Sequence, residues 1–355
     1  MHRIRIPLCA ALGGAVFGGA LLARAATPQD AKPAAPAAAP AAGFHLLDTF
    51  KVGGEGGWDY LNVDSESKRV FVSRSTHVMV VETEHGKVVG DIPDTQGVHG
   101  IAIADEFGRG FTSNGRSDNV TVFDLKTLKP ISQVKTGKGP DAILYDAASK
   151  RVFTFDGHGN DATAIDAKSG DVAGTVVLGG KPEFGVADGK GRVYVNLEDK
   201  SEIVEIDAKE LKVLHHWAIK PGEEPSGLAM DVKNRVLFSG CGNEKMAIVD
   251  ADTGAVITTV PIGKGVDACG FDPATGCAFA SNGDGTLTVV HEDARDKYTV
   301  VENVKTQRGS KTMALDASTH RVFLGAAEFE APAPGGERRR PNMVAGSFSL
   351  LVFGR

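Results

Sequence analysis

Residues 142–177 read AILYDAASKRVFTFDGHGNDATAIDAKSGDVAGTVV. The apolar run Ala142-Ile143-Leu144-Tyr145 ends at Asp146, and Arg151-Val152-Phe153-Thr154-Phe155 follows a short polar turn. A Gly/Asn-rich loop then leads into Ala164-Ile165-Asp166, and a Ser-Gly turn precedes Val172-Ala173-Gly174-Thr175-Val176-Val177. These are four short strands punctuated by turn residues. The same order recurs seven times between Trp58 and Phe353, with a unit of about 42 residues. Its turn aspartates, Asp64, Asp105, Asp146, Asp188, Asp231, Asp272 and Asp316, are spaced by 41, 41, 42, 43, 41 and 44 residues. A period near 40 with four strands per unit predicts an all-β fold, a seven-bladed β-propeller of four-stranded blades.

The first six units cover residues 57–97, 98–139, 140–181, 182–224, 225–265 and 266–308. The seventh offers strands only at residues 311–315, 321–324 and 347–353. Its missing outer strand is expected from the front of the chain, where residues 44–50 read FHLLDTF. Pairing the two ends of the chain in one blade would close the ring and remove exposed edges. The propeller domain is therefore expected over residues 44–355. Seventeen residues of the seventh unit, 328–344, form an insertion with Arg338-Arg339-Arg340. It reads as a solvated loop or as an arm beside the rim.

The N-terminus reads as a targeting segment. His2, Arg3 and Arg5 precede an apolar run at residues 6–22, and Ala23-Arg24-Ala25 fits a small-x-small cleavage site. Residues 1–25 are expected to be a signal peptide, and the Ala/Pro-rich residues 26–43 an extended linker. The apolar run is shorter than the ~20 residues of a membrane span. A periplasmic or secreted protein with no span after cleavage is the expectation. Cleavage would remove three arginines and no acid, leaving 36 basic against 45 acidic residues and a net charge of −9. Such an acidic protein is poorly suited to nucleic acid. Three cysteines would remain, Cys241, Cys269 and Cys277, and no disulfide is expected. No Cys-x-x-Cys-His is present, so covalent haem is not expected. A monomer is anticipated.

The segments Val193-Tyr194-Val195-Asn196, Gly110-Phe111-Thr112-Ser113-Asn114 and Ala278-Phe279-Ala280-Ser281-Asn282 carry a family resemblance. With outer segments such as Val249-Asp250-Ala251-Asp252-Thr253-Gly254, they resemble the YVTN-repeat (YncE-like) propellers of bacterial export compartments. The resemblance spans residues 44–355. It implies the propeller fold and export. The matching residues are strand and turn residues, so it implies no particular chemistry.

Function is sought where the repeats disagree. The turn aspartates, and Asp124, Asp166, Asp207 and Asp250 at the ends of the third strands, suit turns because their side chains accept backbone N–H groups two residues on. The entry of the innermost strand is different. It reads Asp59, His99, Asp141, Glu183, Ser226, Asp267 and Lys311, polar throughout yet never settled on one residue type. These side chains are expected around one end of the central channel. Arg74, Asn114 and Arg116, from the ends of second strands, are expected at the same rim. Asp156, His158, Asn196, Glu198, Asn243, Asn282, Asp284 and Glu328 lie at similar positions.

Three readings follow. A small polar ligand or a protein partner binds this rim. A divalent cation is held by Asp59, His99, Asp141, Glu183 and Asp267, since carboxylate oxygens with an imidazole suit such ions. Or the same groups hydrolyse a lactone or ester, with a metal-bound water, a carboxylate base and Lys311 on the oxyanion. Trp58 and Tyr60 flank Asp59 and are candidates to stack on a ligand or to wedge between blades. A scaffold role through the blade faces or the insertion is a further class.

Overall fold

The computed structural model describes residues 43–330 and 342–355. The expected signal peptide lies outside the described residues, as do all of the expected linker except Gly43 and the middle of the insertion. Among the described residues, seven antiparallel sheets of four strands each follow one another along the chain. Blade 3, from which the repeat was read, is Pro140–Asp146, Arg151–Asp156, Asp161–Asp166 and Val172–Val177 from the axis outward. Neighbouring blades cover both faces of the middle strands, so consecutive residues are buried. Val152, Phe153, Ala162 and Ala164 are fully buried between blades, whereas the outermost strand leaves Val172 and Val177 in solvent.

The closing strand sits where the sequence placed it. His45–Lys51 pairs antiparallel with Ser349–Gly354, which makes it the outermost strand of the blade built on Met313–Asp316 and Arg321–Ala326. Phe50 is buried with Phe348, Leu350 and Val352, and Phe44 packs edge-on against Phe279 of blade 6 at 5.1 Å. The ring is thus held by both hydrogen bonds and apolar contact.

Large apolar side chains from neighbouring blades form the core. Phe71 of blade 1 faces Phe123 of blade 2 at 6.0 Å, and Phe238 of blade 5 stacks on Phe271 of blade 6 at 5.1 Å. The recurring aspartates hold turns, as expected. Asp64 accepts from the backbone N–H of Glu66 and Ser67, Asp231 from Lys233 and Asn234, and Asp166 from Lys168 and Ser169. The three described cysteines are free. No helix among the described residues is long and apolar enough to cross a membrane.

Candidate functional site at the channel mouth

In blades 2 to 6 the register of the inner strand breaks at its entry. Pairing with the second strand shifts between Val98 and Ile101, Pro140 and Ile143, Pro182 and Gly185, Pro225 and Leu228, and Val266 and Ala268. A bulge re-aims a side chain, and the residues inside these breaks are His99, Asp141, Glu183, Ser226 and Asp267. Second strands hold the bulges. Ser73 accepts from the Asp59 N–H at 3.1 Å, Ser113 accepts from the Gly100 N–H at 2.8 Å and donates to the Asp141 carbonyl, and Ser281 donates to the Lys311 carbonyl. Asn196 donates to the Ser226 carbonyl at 2.8 Å. The Ser-Asn segments that carried the family resemblance therefore position the ring.

The structure brings the ring residues into a polar network of three separate clusters. His99 Nδ1 lies 2.6 Å from Asp59 Oδ2 and 3.6 Å from Asp141 Oδ1. Lys311 Nζ pairs with Asp267 at 2.8 Å, and Ser226 donates to the Asp267 carbonyl at 3.2 Å. Glu183 is paired at 2.8 Å by Lys181, which the sequence reading did not include and which also bridges to Glu198. Asp59, His99 and Asp141 are half-buried, and their ligand atoms all lie within 4.8 Å of one another. Gly115 leaves room for this trio, since a Cβ there would lie 2.8 Å from His99 Nε2.

Crowded, partly dehydrated carboxyl groups resist ionisation. Burial first, then the charge of Asp59, raises Asp141, with His99 opposing. Burial likewise raises Asp267 against the pull of Lys311, and it pushes Glu183 up to about 7 with help from Asp141. Burial opposes the His99 imidazolium, but the Asp59 hydrogen bond and the charges of Asp141, Asp59 and Glu183 outweigh it and raise its pKa.

Arg74 and Asn114 do not join this network. The Arg74 guanidinium is fully buried, donates to the Gly53 and Gly56 carbonyls at 2.8 Å each, and lies 4.0 Å from the Phe348 ring centre. Asn114 is fully buried and donates to Asn119 at 2.8 Å and Thr121 at 2.9 Å. Asp156 and Asn282 are likewise buried within their blades, bonded to Thr163 and Thr288. The reason is geometric: a second strand faces neighbouring blades, and only the innermost strand borders the channel. Arg116, two residues beyond its strand, does reach the mouth.

A cavity of about 350 Å³ at the mouth is lined by Gly57, Trp58, Asp59, Ser75, Gly97, Val98, His99, Arg116 and Lys311. A second, of about 290 Å³, shares Gly57, Trp58, Asp59 and Lys311 and adds Gly309, Thr312, Phe329 and Met343. The sequence reading also missed the floor. Tyr60 of blade 1 and Phe184 of blade 4 meet with ring centres 4.6 Å apart. Burial, then the charges of Asp141, Asp59, Glu183 and Asp267, lifts the Tyr60 phenol well above its usual pKa, so it stays a hydrogen-bond donor. A signal for this floor existed. The residue after each ring position is Tyr60, Gly100, Ala142, Phe184, Gly227, Ala268 or Thr312, large in only two blades.

No family model matches the chain, and no curated protein matches it. Solved structures do. A chain of the "Kuenenia stuttgartiensis Hydrazine Synthase" superposes with a TM-score of 0.63 at 15% identity, over 76% of this chain and 92% of that one. "Structure of U3-55K" gives 0.72 at 9% identity over 87% and 98%. A chain of "Crystal Structure of Mitotic Checkpoint Complex" gives 0.73 at 12% identity over 93% and 98%. At these identities the likeness shows that the chain shares their propeller fold, and it extends to the fold alone.

Proposed function

We propose that this protein is an exported binding module that holds a divalent cation at its channel mouth and presents it to a small polar ligand. The observation that carries the reading is the convergence of Asp59, His99 and Asp141, from three successive blades, on one half-buried point. Two carboxylates and an imidazole suit a borderline ion such as Zn²⁺ or Mn²⁺. Three protein ligands leave coordination positions for water or ligand, as in an open site. The mouth cavity of about 350 Å³ lies on that side and has Arg116 and Lys311 in its wall. Export rests on the basic start, apolar run and Ala23-Arg24-Ala25 of the N-terminus. Titration calorimetry of the full chain with Zn²⁺ and with Mn²⁺ tests the cation. One ion per chain is expected, lost in the Asp59→Asn, Asp141→Asn double variant. Failure of both ions to bind the unmodified chain would end the reading.

Lys311 supports a second reading, because it lines the same cavity as Asp59 and His99. The cation held by Asp59, His99 and Asp141 would supply Lewis-acid activation of a water toward a lactone or ester carbonyl, with the water's proton passing to solvent, and Lys311 would stabilise the oxyanion. Hydrolysis of simple lactones and aryl esters by the metal-loaded chain, abolished by Lys311→Met, is the expected result. Equal turnover by that variant would reject this role for Lys311.

A further inference from the structure

The mouth is polar on one side only. Where it meets the root of the blade 7 insertion, the cavity of about 290 Å³ presents Trp58, Phe329 and Met343. Trp58 is backed by Phe348 at 5.1 Å and faces Phe329 at 6.3 Å. Phe329 pairs with Met343 through an isolated β-bridge, yet it leaves 45% of its surface exposed. Its exposed surface therefore lines a concave wall and is not spent on the core. The glycine at Gly325 makes this possible, because a Cβ there would stand 2.5 Å from the Trp58 indole nitrogen. Among the described residues that indole N–H makes no hydrogen bond, and the Arg116 guanidinium makes no ion pair. The wall thus offers an apolar surface, and the adjoining cavity that shares Trp58 with it holds Arg116, unpaired among the described residues.

We infer that the mouth takes a small organic anion with an aromatic or bulky apolar arm, its arm between Trp58, Phe329 and Met343 and its head toward Arg116. The head is anionic because the acids of the mouth are already engaged. Asp59 holds His99, and Asp267 holds Lys311, so Arg116 is the charge left over. The arm is apolar because a hydroxylated arm would face thioether and aromatic carbon with few partners, and buried polar groups without partners are costly. The combined hollows suit a ligand of small-molecule size. The inference rests on the mouth being a ligand site, as proposed above, but its apolar half is independent of the cation.

The chain has two tryptophans, and the second, Trp217, stacks on Tyr194 and His215 in blade 4. In the full chain carrying Trp217→Phe, Trp58 is therefore the sole indole reporter. Titration with phenylacetate, acetate and 2-phenylethanol separates head from arm. Saturable change in Trp58 fluorescence is expected with phenylacetate, at an affinity at least about tenfold above that for either half-molecule. Phe329→Ala should weaken phenylacetate about tenfold while leaving acetate unchanged, since it removes apolar contact only. Arg116→Gln should weaken both acids and spare 2-phenylethanol. Phe329 is largely at the surface, so its truncation should leave the fold intact, which circular dichroism checks. Equal affinities for phenylacetate and acetate, or indifference to Phe329→Ala, would overturn the inference. Zn²⁺ binding is measured on the same samples. Phenylacetate binding without Zn²⁺ binding rejects the cation reading and keeps the amphiphilic ligand. Zn²⁺ binding without phenylacetate binding does the reverse.

Discussion

Tyr60 and Phe184 touch across the channel, with ring centres 4.6 Å apart and planes inclined by 60°. They belong to blades 1 and 4, which are distant in sequence but face one another over the axis. Their contact floors the mouth. Below it lies a separate hollow of about 550 Å³, with Asn62, Ile101, Ile143 and Leu144 in its wall.

Removing one half of this floor tests it. Phe184→Ala should cost about 2 kcal/mol from lost apolar burial and aromatic contact. Denaturant unfolding should show a lower midpoint with an unchanged m value. A loss below a few tenths of a kcal/mol would mean that the ring is idle.

Arg74 anchors the loop that carries Trp58 and Asp59, through its bonds to Gly53 and Gly56. Burial lowers its pKa to about 10, so it remains charged at neutral pH. Arg74→Met should destabilise by about 3 kcal/mol, because two carbonyls lose a charged donor in a dehydrated setting. Arg74→Lys should recover only part of this, since an ammonium cannot span both acceptors in the guanidinium plane. Full recovery in the lysine variant would contradict the two-carbonyl role.

A pH effect is expected from blade 3. Asp156 and Asp161 face one another across the second and third strands, at the positions that Asn114 and Asn119 occupy in blade 2. Burial and then the neighbouring Asp161, against hydrogen bonds from Thr163 and Thr154, leave Asp156 raised to about 7. The sign follows from linkage. A carboxyl raised above its unfolded value of about 4 keeps its proton longer when folded, so stability falls as pH rises from about 4 through about 7. Asp156→Asn should make that fall shallower, leaving the part that Glu183 contributes, and place in blade 3 the amide that blade 2 already uses. Thermal melts from pH 5 to pH 8 read it directly. A variant with the same slope as the parent would rule out Asp156 as its source.

The closing strand should be indispensable. A Cβ at Gly86 would lie 2.2 Å from Phe50 Cγ, and Gly86 itself sits at φ +70°. Gly86→Ala should therefore push Phe50 out of the last blade and cost at least about 1–3 kcal/mol from overpacking and backbone strain. Deleting residues 44–51 should expose the Ser349–Gly354 edge and promote association. Light scattering of the deleted chain against the parent measures this, and a monodisperse deleted chain would argue against the edge.

The repeat in the sequence determined the blades, their order, the closing strand and the structural role of the aspartates. Each of these depends on local alternation and on turn residues, which act within a few positions of one another. The same alternation made the ring legible, because residues at equivalent positions in seven repeats must share one end of the channel. Tertiary structure decided what the ring does with its charges. Nothing local pairs His99 with both Asp59 and Asp141, since those contacts depend on blade spacing. It also withdrew Arg74 and Asn114 into the blades, because second-strand side chains face neighbours and not the axis. The floor was decided last of all, by two aromatic rings more than 120 residues apart that only a closed ring brings within reach.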